Sequence, residues 1–292
     1  MPHDIDFSGV WIPLITPLRD DRVDTAALAA LVRRIGTQEV AGFVVCATTG
    51  EAPLLDDAER DLVLATVKAN TAKPLIMGCA GPTAAQVLRL MAAALRHAPA
   101  AFLVPAPAYL RPSQPGLREF FATVADAAPA PLVVYDIPAR TGVRLELETL
   151  RALAAHPRIR ALKDCGGRVE QTEALIEDGR LQVLCGNDNE WFSTRSLGGA
   201  GAIAASAHVR TDLFVAFDQA LARGELERAR TLWRRLKPLA TGLFEEPSPG
   251  PLKTLLAAAG ECTDEVRAPL TKASAGLRER LLALVDGLPE HP

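Results

Sequence analysis

Tyrosine is almost missing from this sequence: 292 residues contain two, Tyr109 and Tyr135. Lysine is scarce as well. Six of the 32 basic residues are lysine (Lys68, Lys73, Lys163, Lys237, Lys253 and Lys272), which leaves 26 arginines. Five cysteines, an odd number in a chain this long, argue against a disulfide framework, and no two form a Cys-x-x-Cys pair. The histidines (His3, His97, His156, His208 and His291) show neither close pairing nor metal-ligand spacing, so no metal is expected. No apolar run approaches the ~20 residues of a membrane span, and Met1-Pro2-His3-Asp4 does not open a signal peptide. Charge is balanced, 32 basic against 35 acidic residues for a net −3, and interspersed. That excludes the basic face which nucleic acid or an anionic membrane would require. There is no Gly-x-Ser-x-Gly elbow and no P-loop. Gly199-Ala200-Gly201-Ala202-Ile203-Ala204 mimics a dinucleotide fingerprint but runs into a strand rather than out of one. A soluble, cytoplasmic globular protein is expected.

What is present is alternation. Short apolar runs predict strands at Gly9–Thr16, Gly42–Cys46, Pro74–Gly78, Ala101–Val104, Leu132–Tyr135, Ile159–Lys163, Leu181–Gly186 and Gly201–Ala205. Helical patterns lie between them, for example Thr25–Gln38, Asp56–Ala69, Thr83–Arg96, Gln114–Ala127 and Glu146–Ala155, and Val209–Ala222 follows the last strand. Eight strands, each followed by a helix and apolar on both faces, predict an α/β fold, a (β/α)₈ TIM barrel. A doubly wound sheet would want a glycine-rich turn after the first strand, where Thr16-Pro17-Leu18-Arg19 stands instead. After Arg223-Gly224 the alternation stops, and Leu226–Leu243, Pro251–Ala259 and Ala275–Val285 read as helices. The expected division is residues 1–224, a catalytic barrel, and 225–292, a C-terminal helical domain.

The scarce reactive residues fall at strand ends, where barrel enzymes keep their chemistry. Lys163 closes the strand Ile159-Arg160-Ala161-Leu162-Lys163. Apolar walls there disfavour its ammonium and free a neutral amine that can form a Schiff base with a ketone. A lysine that has merely reached the loop explains the position equally well. Tyr135 closes another strand and can shuttle protons, although a core aromatic is the commoner role for such a residue. Tyr109 sits in the loop Pro105–Pro112, where a surface or interface role is the ordinary one. Ala47-Thr48-Thr49-Gly50-Glu51 offers two hydroxyls and turn N–H groups to a carboxylate, or is a plain strand-to-helix turn. Arg140, just past Tyr135, could fork onto a second carboxylate, against the simpler account of one surface arginine among 26.

Taken together, Thr48-Thr49-Gly50-Glu51, Tyr135-Asp136-Ile137-Pro138-Ala139-Arg140-Thr141-Gly142, Leu162-Lys163-Asp164 and Gly186-Asn187-Asp188 resemble the pyruvate-dependent class I aldolases of the dihydrodipicolinate synthase and N-acetylneuraminate lyase family. The resemblance runs from about Phe7 to the C-terminal helices. It implies a homotetramer with no metal or organic cofactor, and a Schiff base between Lys163 and pyruvate. Tyr135 would be the proton shuttle, linked through Thr48 to Tyr109, which in this family reaches in from a neighbouring subunit. Thr49 would hold the pyruvate carboxylate, and Gly186 and Ile203 would line the same pocket. Arg140 and Leu110-Arg111-Pro112-Ser113-Gln114 look like the synthase branch, in which the arginine grips the carboxylate of aspartate semialdehyde.

Three positions depart from the synthase pattern: Ala47 for glycine, Asp136 for asparagine and Ala108 for tyrosine. They leave a second reading open, a 2-keto-acid aldolase or dehydratase acting on a sugar acid or sialic-acid-like substrate. A catalytically silent barrel with a binding role is a third, and the intact set Lys163, Tyr135, Thr48 and Tyr109 speaks against it. Some members of the family are inhibited by lysine bound in a polar, acidic pocket with a stacking tyrosine. The resemblance places Ala52, Pro53, Asp57, Arg60, Pro82, Gln86 and Ala108 at those positions, and lysine insensitivity is expected.

Overall fold

A computed structural model describes residues 5–292; Met1–Asp4, including the opening tetrapeptide, lie outside the described residues. All eight expected strands form. They are β1 (Gly9–Pro13), β2 (Gly42–Val45), β3 (Leu75–Gly78), β4 (Ala101–Pro105), β5 (Leu132–Asp136), β6 (Ile159–Asp164), β7 (Gln182–Cys185) and β8 (Gly201–Ile203). They close into a parallel barrel in the order β1-β8-β7-β6-β5-β4-β3-β2. This is a (β/α)₈ TIM barrel with a C-terminal helical part. A two-stranded ribbon, Leu18–Arg19 with Arg22–Val23, is an addition that the apolar pattern did not announce.

The strands are short because their apolar runs outlast the ladder. Leu14, Ile15 and Thr16 stay buried beyond the end of β1, ahead of Pro17, which has no N–H to give. β5 is buried along its whole length, as parallel strands covered on both faces must be. Side-chain caps start several helices. Asp56 and Glu59 form a reciprocal capping box before Asp57–Ala69, and Thr83 and Ser113 cap Ala84–Ala94 and Gln114–Ala127.

The chain packs as two compact units. One comprises 74–203 with the described residues up to Ser8, the other Gly9–Lys73 with Ala204–Pro292. The first holds β3 to β8. Its central ladder is unshifted at the end that matters here, pairing Tyr135 with Lys163 and Asp136 with Asp164. The second holds β1, β2 and the helices Thr211–Ala222, Leu226–Gly242, Gly250–Ala258 and Ala275–Asp286. Gly224, at φ +73°, separates the first two of these helices, at the boundary read from the sequence between barrel and tail.

Candidate active site

Lys163 and Tyr135 are neighbours because parallel strands in this register carry both to the same level of the ladder. The Lys163 ammonium lies 4.4 Å from the centre of the Tyr135 ring. Only 4% of Lys163 is exposed, and its side-chain amine forms no hydrogen bond or ion pair with another described residue. Burial therefore holds its pKa below the ordinary lysine value, with Arg140 adding to the shift and Cys165, Asp188 and Cys185 opposing it. The site keeps a buried amine short of compensation, and such an amine is poised to be a nucleophile.

The close fit behind Lys163 requires glycine at 186. A Cβ there would lie 2.4 Å from the Cys165 sulfur and 2.9 Å from Cγ of Lys163. The Gly186 N–H continues the ladder by donating to the Asp164 carbonyl at 2.8 Å. Cys165 belongs to no Cys-x-x-Cys pair. It shares a hydrogen bond with Tyr135, and burial pushes its thiol up to about 12, so the sulfur stays neutral. Ile203, the last residue of β8, is buried.

Past β5 the chain enters a single helical turn, Pro138–Thr141, closed by Gly142 at φ +72°. Arg140 stands on this turn, exposed; its backbone N–H donates to the Ile137 carbonyl at 3.0 Å, and its guanidinium makes no hydrogen bond to another described residue. The turn is tied to the Tyr109 loop by Arg111, whose Nε donates to the Gly142 carbonyl at 3.0 Å. Tyr109 is 92% exposed in a left-handed conformation, φ +72°. A large aromatic held out into solvent by strained backbone suits a residue that completes something else.

Sequence reasoning gave no role to the acidic residues one step beyond Tyr135 and Lys163. Asp136 and Asp164 are both buried. Asp164 accepts from Gly166 N–H at 2.8 Å and from the Thr172 hydroxyl at 2.5 Å. Asp136 Oδ1 accepts from Leu145 N–H at 3.1 Å, while its Oδ2 is buried with no partner. The one available signal was positional: each aspartate directly follows a strand-end residue singled out for chemistry.

The turn Ala47–Glu51 belongs to the other unit. Gly50 N–H donates to Ala47 O and Glu51 N–H to Thr48 O, both at 3.1 Å. Thr16 Oγ donates to Gly50 O at 2.7 Å. Thr49 is buried and Thr48 half-buried. Glu51 meets Lys253 from the helix Gly250–Ala258 in a buried ion pair at 2.5 Å. No pattern linked those two residues.

The model of the dihydrodipicolinate synthetase family matches residues 6–287. The chain belongs to that family. It is similar to 4-hydroxy-tetrahydrodipicolinate synthase 2 of Clostridium acetobutylicum, 35% identical over 94% of this chain and 97% of that one. Likewise it is 39% identical to the 4-hydroxy-tetrahydrodipicolinate synthase of Hyphomonas neptunium, over 92% and 94% of the two chains. Among solved structures it resembles the chloride-inhibited dihydrodipicolinate synthase of Acinetobacter baumannii complexed with pyruvate. There the TM-score is 0.92 and the identity 31%, over 96% of this chain and 98% of that one. Membership makes the protein a lyase of the class I aldolase type acting on small molecules. No described helix is long and apolar enough to cross a membrane.

Proposed function

We propose that this enzyme is a 4-hydroxy-tetrahydrodipicolinate synthase, condensing pyruvate with aspartate semialdehyde in lysine and diaminopimelate biosynthesis. The observation that carries the reading is Lys163: a buried amine without a counter-ion, set against Tyr135 at the end of its strand. The neutral amine attacks C2 of pyruvate, and the resulting carbinolamine loses water to give an imine. Loss of a proton from C3 yields an enamine, whose C3 bonds to the aldehyde carbon of the second substrate as the aldehyde oxygen takes up a proton. The amino group of that substrate then attacks C2, and Lys163 leaves as the ring closes.

Tyr135 is assigned the proton transfers to and from the carbinolamine, with Thr48 and Tyr109 as its relay. Thr49 is assigned the pyruvate carboxylate, Arg140 the carboxylate of the aldehyde, and Gly186 and Ile203 the pocket wall. No metal or organic cofactor enters the scheme, because the lysine adduct is itself the electron sink. The exposed, strained Tyr109 supports assembly with a second copy, and a cytoplasmic homotetramer is the proposed form. Residues 225–292 are proposed as its helical domain.

Turnover with pyruvate and aspartate semialdehyde, set against cleavage of N-acetylneuraminate, tests the assignment; faster cleavage would transfer the enzyme to the lyase branch. Arg140→Ala sharpens the test. Losing a charge-assisted hydrogen bond costs about 1.5–3 kcal/mol, so the Michaelis constant for the aldehyde should rise roughly tenfold to a hundredfold while that for pyruvate holds. An equal rise in both would remove Arg140 from the aldehyde site.

A further inference from the structure

Two carboxylates meet over one glycine just beyond Lys163. A Cβ on Gly166 would lie 2.8 Å from Oδ2 of Asp136 and 3.0 Å from Oδ1 of Asp164. The two side chains come from adjacent strands at the same register position. They are not equivalent. Asp164 takes two hydrogen bonds, from Gly166 N–H and the Thr172 hydroxyl. Asp136, 1% exposed, takes one, from Leu145 N–H, and its other oxygen is bare. Like charges this close do not both ionise without cost, and a buried oxygen with no donor is the poorer home for charge. The single proton of such a pair belongs on Asp136.

The place matters because Asp136 touches three pieces of the candidate site. It follows Tyr135 in the chain, its carbonyl accepts from Cys165 N–H at 2.9 Å on the Lys163 strand, and its Oδ1 anchors the far end of the loop that begins with Arg140. We propose that Asp136 is a positioning residue that works as a neutral acid: protonated on Oδ2, it lets the Arg140 loop pack down on the end of the Lys163 strand, and its ionisation, although it makes Oδ1 the better acceptor, sets a second buried charge against Asp164 and drives that packing open. The proposal rests on reading Lys163 and Arg140 as the reactive and aldehyde-binding groups.

The charged groups around it fix the sign. Burial raises the Asp136 carboxyl from the ordinary 3.8 to about 7; Asp164 on the next strand and Glu146 add to the rise, while the Leu145 N–H and Arg144 oppose it. A carboxyl whose pKa is raised on folding contributes stability that is complete below about 4 and is lost as pH rises toward about 7. The hold therefore weakens on the alkaline side of neutrality.

Three measurements on the full-length protein test this. Infrared difference spectra should show one aspartic carboxyl still protonated at about pH 6 and ionised by about pH 8, and Asp136→Asn should lack it. Hydrogen exchange of the segment 137–145, corrected for intrinsic rates, should lose protection across the same interval in the wild type and not in Asp136→Asn, whose amide is neutral at every pH. Above pH 7 the Michaelis constant for the aldehyde should climb roughly tenfold to a hundredfold in the wild type, the scale of a small misplacement of a binding group, with a flatter profile in the variant. A wild type with no aspartic carboxyl titrating in that interval overturns the proposal, whether or not the variant folds. A titrating carboxyl with unchanged exchange overturns the positioning role. Both signals without capture of pyruvate would leave the Asp136 hold standing and refute the aldolase assignment instead.

Discussion

Two lysines are buried in this molecule, one in each compact unit, and their surroundings could hardly differ more. Lys253 is fully buried, yet it is met by Glu51 at 2.5 Å and by the Glu265 carbonyl at 2.7 Å. Glu51 also accepts from Arg267 N–H at 3.0 Å, and Arg267 in turn bridges to Glu59 and Asp21. Burial lowers the Lys253 pKa and Glu51 opposes the shift. Lys163 is buried nearly as deeply and has an aromatic face where Lys253 has a carboxylate. The first arrangement fixes a charge in a structural network; the second, with no ion-pair partner, is the one that the proposed Schiff-base role would use. Burial alone does not distinguish the two lysines; the ion-pair partner does.

The strongest way to break the comparison is to delete each amine. Lys163→Ala should abolish borohydride trapping of pyruvate while leaving thermal unfolding near the wild-type value, since the side chain satisfies no partner. Lys253→Met should do the reverse. It strands Glu51 in the interior, and removing one partner of a buried pair costs about 3–5 kcal/mol, so unfolding should move to clearly lower denaturant. At temperatures where the variant stays folded, trapping should persist and map by mass spectrometry to the peptide bearing Lys163. Adduct on Lys253, or trapping that survives Lys163→Ala, would invert the two roles.

A finer test keeps Lys163 and changes what faces it. Tyr135→Phe retains the ring against the amine and removes only the hydroxyl. Pyruvate capture should continue while turnover falls ~10²–10⁴-fold, the usual worth of one general acid–base group. Tyr109→Phe should move turnover in the same direction by less, because the role proposed for it runs through Thr48. Equal losses of capture and turnover in Tyr135→Phe would mean that the tyrosine positions the lysine rather than moving protons. Stopped-flow imine formation beside steady-state rates separates the outcomes.

The lysine contrast also shows which parts of the molecule can be read from one dimension. The eight strands were legible because each is a short apolar run between turn residues, and Tyr135 and Lys163 because scarce residues ended such runs. The helix Val169–Asp178, expected after its strand, was given no span: Gln171 and Thr172 are buried on its inner face, spent on the Leu145 carbonyl and Asp164, so no apolar stripe marks it. Trp191–Ser196 is too short to show a period. The Asp136–Asp164 pair depends on the register between two strands, and Glu51 and Lys253 are 202 positions apart. Pairings at such distances are set by packing of the whole domain, and no local pattern encodes them.

The smallest expected effect concerns a lysine from outside, and it again turns on counter-charge. In lysine-inhibited members of the family the effector's ammonium needs an acid and an aromatic wall. The corresponding positions here hold Gln86, which is neutral, and Ala108. Gln86 is engaged locally, its backbone N–H and its side-chain oxygen both bonded at 3.3 Å to the Thr83 hydroxyl that caps its helix. Pro82 has no side-chain donor for a carboxylate. Arg60 pairs with Asp57 at 3.1 Å and donates to the Ala52 carbonyl at 2.8 Å; its charge would repel an ammonium, and it already engages the one acid among these positions. A free lysine would find Asp57 already engaged by Arg60 and no other carboxylate at these positions. Each missing charge-assisted contact is worth about 1.5–3 kcal/mol, and losing two weakens binding by a hundredfold or more. Steady-state rates across a lysine titration should stay flat through the sub-millimolar range; partial inhibition there would reveal that Asp57 leaves Arg60 for the ammonium, or that another acid serves it.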